Sequence, residues 1–372
     1  MKSILYIATS DIHLRTFHVP YLEWLVAQGH TVDLAYEDRG GISFDMVRHV
    51  YRLDFPRQLH PGRLRRSYRD LKRVIDAGDH DILHCHTPIP SALTRLAARK
   101  WRKRGGKVLY TAHGFHFYKG GPIANWLLYY PAEMLLSHLT DCIITINGED
   151  MACTRHPLWG AESVRIPGLG IQPRGFLPAS AEERRALRQN LGFAEVDFIL
   201  LCVAEFTSNK NHRFLINAAP ELRAAIPNLK IVFLGRGAQL DQCRELAAAS
   251  RVEDTVRFMG FRQDVADFAR IADVGISASR REGLGIALLE QMMCAIPVVA
   301  SQDRGHREFV KEGDTGFLFA QRNRQEFVTK VKALHDDPAL RALMGAAARE
   351  KAEEFTLAQS MRDMKQIYAR FL

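Results

Sequence analysis

The chain has 372 residues, 47% of them apolar and 25% charged, and a formal net charge of +9. That length suits two domains, and the balance excludes a disordered, collagen-like or disulfide-scaffold chain. No run of about 18 apolar residues occurs, so no membrane-spanning helix is expected.

At the N-terminus the apolar run Ile4–Ala8 is too short for the core of a secretion signal. It reads as a first strand, which predicts a cytoplasmic protein. Runs rich in β-formers at 3–9, 31–37, 81–87, 107–113 and 142–147 alternate with helical patterns, among them a helix over 17–29 closed by Gly29. Short buried strands separated by helices predict a parallel sheet covered on both faces. Residues 1–175 hold 23 Lys and Arg against 16 Asp and Glu, which is +7 of the total +9. Clusters at 57–73 and 95–107 supply it; they suit a nucleic acid, an anionic membrane surface, or a plain solvated helix face. The segment 122–139 is very apolar but interrupted by Pro131, Glu133 and His138; it reads either as a core helix or as one lying in a membrane interface.

The Gly- and Pro-rich stretch 166–180 reads as a linker. The strand–helix scheme then repeats, with strands at 198–206, 230–235, 256–261, 274–279 and 297–301 and an amphipathic helix over 240–250. The amphipathic tail 358–372 is suited to pack across the domains. The predicted fold class is α/β, as two doubly wound, Rossmann-like domains. Cys85, Cys142, Cys153, Cys202, Cys243 and Cys294 form no C-x-x-C pair and read as buried free thiols of a reducing compartment.

Open α/β sheets bind ligands at the carboxyl ends of their strands. After the first strand, TSDIHLR (9–15) contains no G-x-G-x-x-G, which argues against a nicotinamide-dependent dehydrogenase. DILHCHTP (81–88) and TAHGFHFYKG (111–120) bring His84, His86, His113 and His116 to strand ends. Alternation places His84 and His86 on one face, and no carboxylate accompanies them at ligand spacing. Hydrogen bonding or acceptor orientation is therefore expected of them, and no metal. Lys210, at a helix start after a strand, suits a diphosphate. Glu282 precedes Gly-Leu-Gly and an opening helix, and Glu290 lies eight positions on, so both carboxylates can address one ligand along that helix start. Amides around Gly283–Gly285 suit phosphate oxygens, whereas carboxylates accept hydrogen bonds from sugar hydroxyls. The order hydroxyl, phosphate, hydroxyl reads as a nucleotide sugar.

The second half, through FLGRGAQLDQC (233–243), VRFMGFRQDVADFARIADVGISAS (256–279), the Glu-x(7)-Glu stretch and GDTGFLF (313–319), resembles the donor domain of the retaining glycosyltransferases of family 4, which have the GT-B fold. The first half, through FHVPYLEWLVAQGH (17–30) and the two histidine segments, resembles the branch that builds capsular, O-antigen and exopolysaccharide repeat units on lipid-linked acceptors. The resemblance implies roles position by position. Glu282 matches the glutamate on the donor sugar, Glu290 the one on the ribose hydroxyls, and Lys210 the lysine on the donor diphosphate. Gly235 and Gly237 match the glycine turn near the nucleotide, and Arg262 lies on the loop whose backbone reads the base. Leu284 and Gly285 match amides on the phosphate, and His113 a histidine near the transferring sugar. Two departures stand out. Glu205 occupies the position where many members carry an arginine that clamps the diphosphate with the lysine; Arg280, Arg281 and Arg304 are the candidates to compensate. The first-strand loop also lacks the family's Gly-Gly.

The resemblance implies two domains facing a central crevice: 1–175 binding the acceptor and the membrane, 176–357 binding the donor, and 358–372 crossing back to the first domain. The expected donor is a UDP-N-acetylhexosamine or UDP-hexose, and the expected acceptor a polyprenyl-diphosphate-linked saccharide. Transfer would occur with retention and without a metal cofactor, peripherally on the inner face of the cell membrane. The rivals are a UDP-sugar epimerase of the same architecture and a non-catalytic nucleic-acid-binding protein; no RNA-binding motif supports the latter, so no nucleic-acid partner is expected.

Overall fold

The structure, a computed structural model, describes residues 1–56 and 60–372; Arg57, Gln58 and Leu59 of the first basic cluster lie outside the described residues. The chain forms two units, Met1–Gly170 with Ala358–Leu372, and Ile171–Leu357.

The first unit contains strands β1 (Ser3–Ser10), β2 (Thr31–Glu37), β3 (His49–Arg52), β4 (Ile82–His86), β5 (Lys107–Ala112), β6 (Cys142–Thr145) and β7 (Glu162–Arg165). They pair in parallel in the order β3-β2-β1-β4-β5-β6-β7. The strand order reverses between β1 and β4, the position where doubly wound sheets open a crevice. Central strands are apolar on both faces because helices cover both, and every residue of β4 is buried. The edge strands β3 (HVYR) and β7 (ESVR) are largely exposed. They need no apolar run, which is why the pattern of the sequence does not reveal them.

The predicted helix over 17–29 is the helix Val19–Ala27, and a separate helix, Asp11–Phe17, precedes it, the two meeting at His18. The expected loop after β1 is therefore helical. The Ser10 hydroxyl accepts the His13 amide hydrogen at 3.3 Å and starts the first helix, and Pro20 in the first turn of the second suits a fresh start there. Asp11 is fully buried, and its carboxylate accepts amide hydrogens from Ile12, Arg39, Gly40 and Ile42. Burial alone would raise its pKa; the four amides outweigh it and lower it.

The second basic cluster is partly internal. Arg95, in the helix Pro88–Ala97, is fully buried. It donates to Glu133 at 2.7 Å and to the Ser91 carbonyl at 3.1 Å, with its guanidinium 4.3 Å from the centre of the Tyr110 ring. Glu133 belongs to the helix Ile123–Ser137, whose Trp126, Tyr129, Tyr130 and Met134 pack on the core. Its other side leaves Ile123, Leu127, Leu128 and Leu135 exposed by 77%, 74%, 55% and 66%. The segment is thus a surface helix, not a core one. The tail helix Leu357–Tyr368 packs in this unit, with the Tyr368 hydroxyl 2.6 Å from His84 Nδ1 and its ring against Trp24.

The second unit contains β8 (Phe198–Val203), β9 (Leu229–Leu234), β10 (Val256–Gly260), β11 (Val274–Ser277), β12 (Val298–Ser301) and β13 (Gly316–Phe319). They form a parallel sheet in the order β10-β9-β8-β11-β12-β13, which reverses between β8 and β11. From 171 onward the expected linker is built into this unit: the Ile171 amide donates to the Phe355 carbonyl at 2.9 Å and the Leu357 amide to the Ile171 carbonyl at 2.8 Å. All six cysteines are free, five buried and Cys153 partly so. Among the described residues no helix is long and apolar enough to cross a membrane.

Candidate active site

In the second unit the two loops at the strand-order reversal are stitched together. The loop after β8 runs to the helix His212–Ala225, and the loop after β11 runs to the helix Ile286–Met293. The Arg280 amide donates to the Asn209 carbonyl at 2.8 Å, and Asn209 Nδ2 to the Arg281 carbonyl at 2.9 Å. This brings Lys210 Nζ to 2.5 Å from Glu282 Oε1, with side chains 29% and 14% exposed. A cation and an anion held together at a switch point form a site that an incoming diphosphate and a sugar hydroxyl can divide between them.

Gly285 begins the helix Ile286–Met293 at φ +99° and carries no side-chain cap, so Leu284 and Gly285 sit at a helix N-terminus open to an anion. Its position is set from beneath by a segment the sequence reading touched only through Arg304. A Cβ on Gly305 would lie 2.8 Å from Glu282 Cβ and 2.9 Å from the Leu284 nitrogen, so only glycine allows that approach. Arg304 Nε donates to the Glu282 carbonyl at 3.3 Å. His306 is buried, with Nδ1 2.8 Å from the Ser301 carbonyl and 2.8 Å from Asp303 Oδ2. Burial would lower its pKa, but the Asp303 carboxylate outweighs burial and raises it. The signal for this support was the sequence DRGH (303–306) directly after a strand.

Glu290 is half-buried one turn along the same helix, and burial pushes its carboxyl up to about 7. A cavity of about 390 Å³ beside the reversal is lined by Glu205, Gly235, Arg236, Phe261 and Arg262, among others. Gly235 and Gly237 have φ of +150° and +153°, and a Cβ on them would lie 2.0 Å from the Ala204 carbonyl and 2.6 Å from the Phe206 carbonyl. These two glycines let the loop after β9 lie close on the loop after β8, and Gly235 lines the cavity. Arg262 is among the residues lining the cavity, and its Nε donates to Asp264 Oδ1 at 2.8 Å. Of the candidates to replace the missing arginine, Arg280 lines a different cavity with Arg213 and Arg322, whereas Arg304 sits on the Glu282 loop.

In the first unit the histidines converge on the β1/β4 reversal. The rings of His84 and His86 share a face, 4.2 Å between centres. His84 is consumed by Tyr368 and by Thr111 Oγ1 at 2.8 Å. His113 lies 3.3 Å from His86 Nδ1. His116 instead packs on Tyr129, and two histidines that the sequence grouping omitted, His13 and His18, complete the cluster. Burial lowers the pKa of His13 to about 4 and of His84 to about 3, and takes His18, His86 and His113 well below the usual imidazole range. All five are neutral at pH 7.

Two family models match the chain: Glycosyl transferases group 1 over residues 183–351, and Glycosyltransferase Family 4 over residues 21–156. The chain belongs to the family 4 glycosyltransferases. EpsD of Bacillus subtilis (strain 168), a glycosyltransferase by name, is 40% identical over 374 residues, spanning 100% of this chain and 97% of that one. The UDP-Gal:alpha-D-GlcNAc-diphosphoundecaprenol alpha-1,3-galactosyltransferase of Escherichia coli is 23% identical over 82% of this glycosyltransferase and 79% of its own length. Among solved structures, Anabaena HepE in complex with UDP-glucose superposes with a TM-score of 0.80 at 18% identity, covering 100% of both chains. The glycosyltransferase has the GT-B fold, with one Rossmann-like domain in each unit.

Proposed function

We propose that the chain transfers a sugar, with retention of anomeric configuration, from a UDP-hexose or UDP-N-acetylhexosamine to a polyprenyl-diphosphate-linked saccharide during surface polysaccharide synthesis. The observation that carries this reading is the Lys210–Glu282 pair, with Glu282 on the loop before an uncapped helix start, in the unit whose β8, β9 and β10 ends line a cavity of about 390 Å³. The UDP-glucose bound by HepE and the diphosphoundecaprenol-linked acceptor of the Escherichia coli relative support the substrate classes.

In this reading the uridine enters the cavity over Gly235, Gly237 and the Arg262 loop, and Glu290 accepts the ribose hydroxyls. The diphosphate lies on the amides of Leu284 and Gly285 and takes Lys210 from Glu282. Glu282, so released, accepts a hydroxyl of the donor sugar. His113, held neutral, hydrogen-bonds the sugar as it transfers. The glycosidic bond breaks towards the diphosphate, and the acceptor hydroxyl attacks from the same face, passing its proton to the departing β-phosphate oxygen. The protein contributes placement and stabilisation of the growing charge, through Lys210 and the amides instead of a metal. Glu205 leaves that task to fewer cations than in relatives with an arginine there.

Docking on the inner face of the cell membrane completes the reading. Leu127 and Leu128 project from a surface helix of the unit that carries most of the positive charge. The test is a panel of UDP- and GDP-sugars incubated with a short polyprenyl-diphosphate-saccharide, scored for nucleotide release and product linkage. Conversion of the donor sugar without acceptor would identify an epimerase and defeat the reading.

A further inference from the structure

His13, His18 and His113 come from three separate places: the helix Asp11–Phe17, the break before Val19–Ala27, and the loop after β5. One nitrogen of each lies within 4.8 Å of the other two. His18 Nε2 faces His13 Nε2 at 3.2 Å. Two nitrogens bound tetrahedrally to one cation at about 2.0–2.1 Å lie about 3.3 Å apart, so this pair already has the spacing of two ligands. His13 and His113 are partly exposed, while His18 is buried.

We infer that His13, His18 and His113 form a three-imidazole site for a late first-row divalent cation such as Zn²⁺, with a fourth position open to water or an anion.

The surroundings suit this. His18 Nδ1 lies 2.9 Å from the buried Tyr6 hydroxyl, which fixes the ring with Nε2 as the ligating atom. His86 Nδ1 stands 3.3 Å from His113 Nε2 and orients that ring. Such outer partners hold ligating imidazoles in place in metal sites. Asp11, close by in sequence, is saturated by four backbone amides and is no ligand. Three neutral nitrogens and no carboxylate favour Zn²⁺, Co²⁺, Ni²⁺ and Cu²⁺ over the oxygen-seeking Mg²⁺ and Mn²⁺. Cation binding does not depend on the transferase reading, and the proposed transfer does not use it. Its consequence does depend on that reading: an ion on His113 withholds that imidazole from the sugar, so Zn²⁺ inhibits where Mg²⁺ does not.

The test is titration of the full-length protein with CoCl2, followed by visible absorbance, and with ZnCl2 by calorimetry. One Co²⁺ per chain is expected, with the d–d bands of a low-coordinate site and no thiolate charge-transfer band. His13→Gln should weaken binding by at least about tenfold, and Tyr6→Phe, which removes only the outer partner, by about tenfold. Circular dichroism and the thermal unfolding of each variant report whether the first unit, which carries both substitutions, is folded. Absence of binding by the wild type, a thiolate band, or unchanged affinity in folded His13→Gln overturns the site. Stoichiometric binding without any transferase activity would leave the cation site standing and count against the transfer reading alone.

Discussion

Lys210 Nζ and Glu282 Oε1 lie 2.5 Å apart although 72 positions separate them in the chain. Each neutralises the other at the switch point of the second sheet, and each has a different partner in the proposed donor complex. Charge on the diphosphate grows as the glycosidic bond breaks, so Lys210 binds the transition state better than the ground state. Lys210→Ala is expected to lower kcat by about 10²–10³-fold, the scale seen when one charge-stabilising donor is removed. Steady-state kinetics of UDP release would show it, and a raised KM with normal kcat would contradict the role.

Glu290 gives a pH signature. Its carboxyl is raised by burial to about 7, so in the free protein it is mostly protonated below that pH. A ribose hydroxyl donates best to the ionised form, so UDP affinity should rise as pH increases through about 7. Stability runs the other way: the folded state holds a proton that the unfolded chain releases above its usual carboxyl pKa, so this contribution is present at low pH and is lost as pH rises through about 7. Glu290→Gln should weaken UDP binding by about 1.5–3 kcal/mol at pH 8 and flatten both profiles. Calorimetry across pH 6 to about 8 decides; a wild-type affinity independent of pH would remove Glu290 from the ribose.

Membrane docking divides into two tests. Arg102 is engaged with Asp141 at 3.2 Å and Arg95 is internal, so the exposed cations to reverse are Arg65, Arg66, Lys103 and Arg104. At about 1 kcal/mol for each basic residue near an anionic surface, changing all four to Glu should reduce sedimentation with anionic vesicles at least about a hundredfold. Leu127→Ser should weaken binding without altering its salt dependence. UDP affinity should stay constant in both, and equal binding of the wild type to neutral and anionic vesicles would defeat the electrostatic account.

The buried Arg95–Glu133 pair joins the helix Ile123–Ser137 to the core of the first unit. Arg95→Met leaves Glu133 without its partner and should destabilise that unit by about 3–5 kcal/mol. Adding Glu133→Leu should recover most of the loss. Thermal unfolding of the three proteins checks this; a double variant as unstable as the single one would show that packing over Tyr110, not charge, is what Arg95 supplies.

Much was legible in the chain alone. Every central strand announced itself, because a strand buried on both faces must be an apolar run, and some helices between them, such as the one at 240–250, carried their own periodicity. The edge strands β3 and β7 did not, because both are largely exposed and the apolar requirement lapses. Lys210, Glu282 and Glu290 could be singled out from spacing next to a strand end, since a helix start following a strand is a local feature. That Lys210 and Glu282 touch, that Gly305 lies under Glu282, and that His13 and His18 meet His113 were decided by tertiary structure. Those contacts join segments whose distance along the chain carries no information about distance in space. Only the order of the strands within each sheet brings their carboxyl ends together.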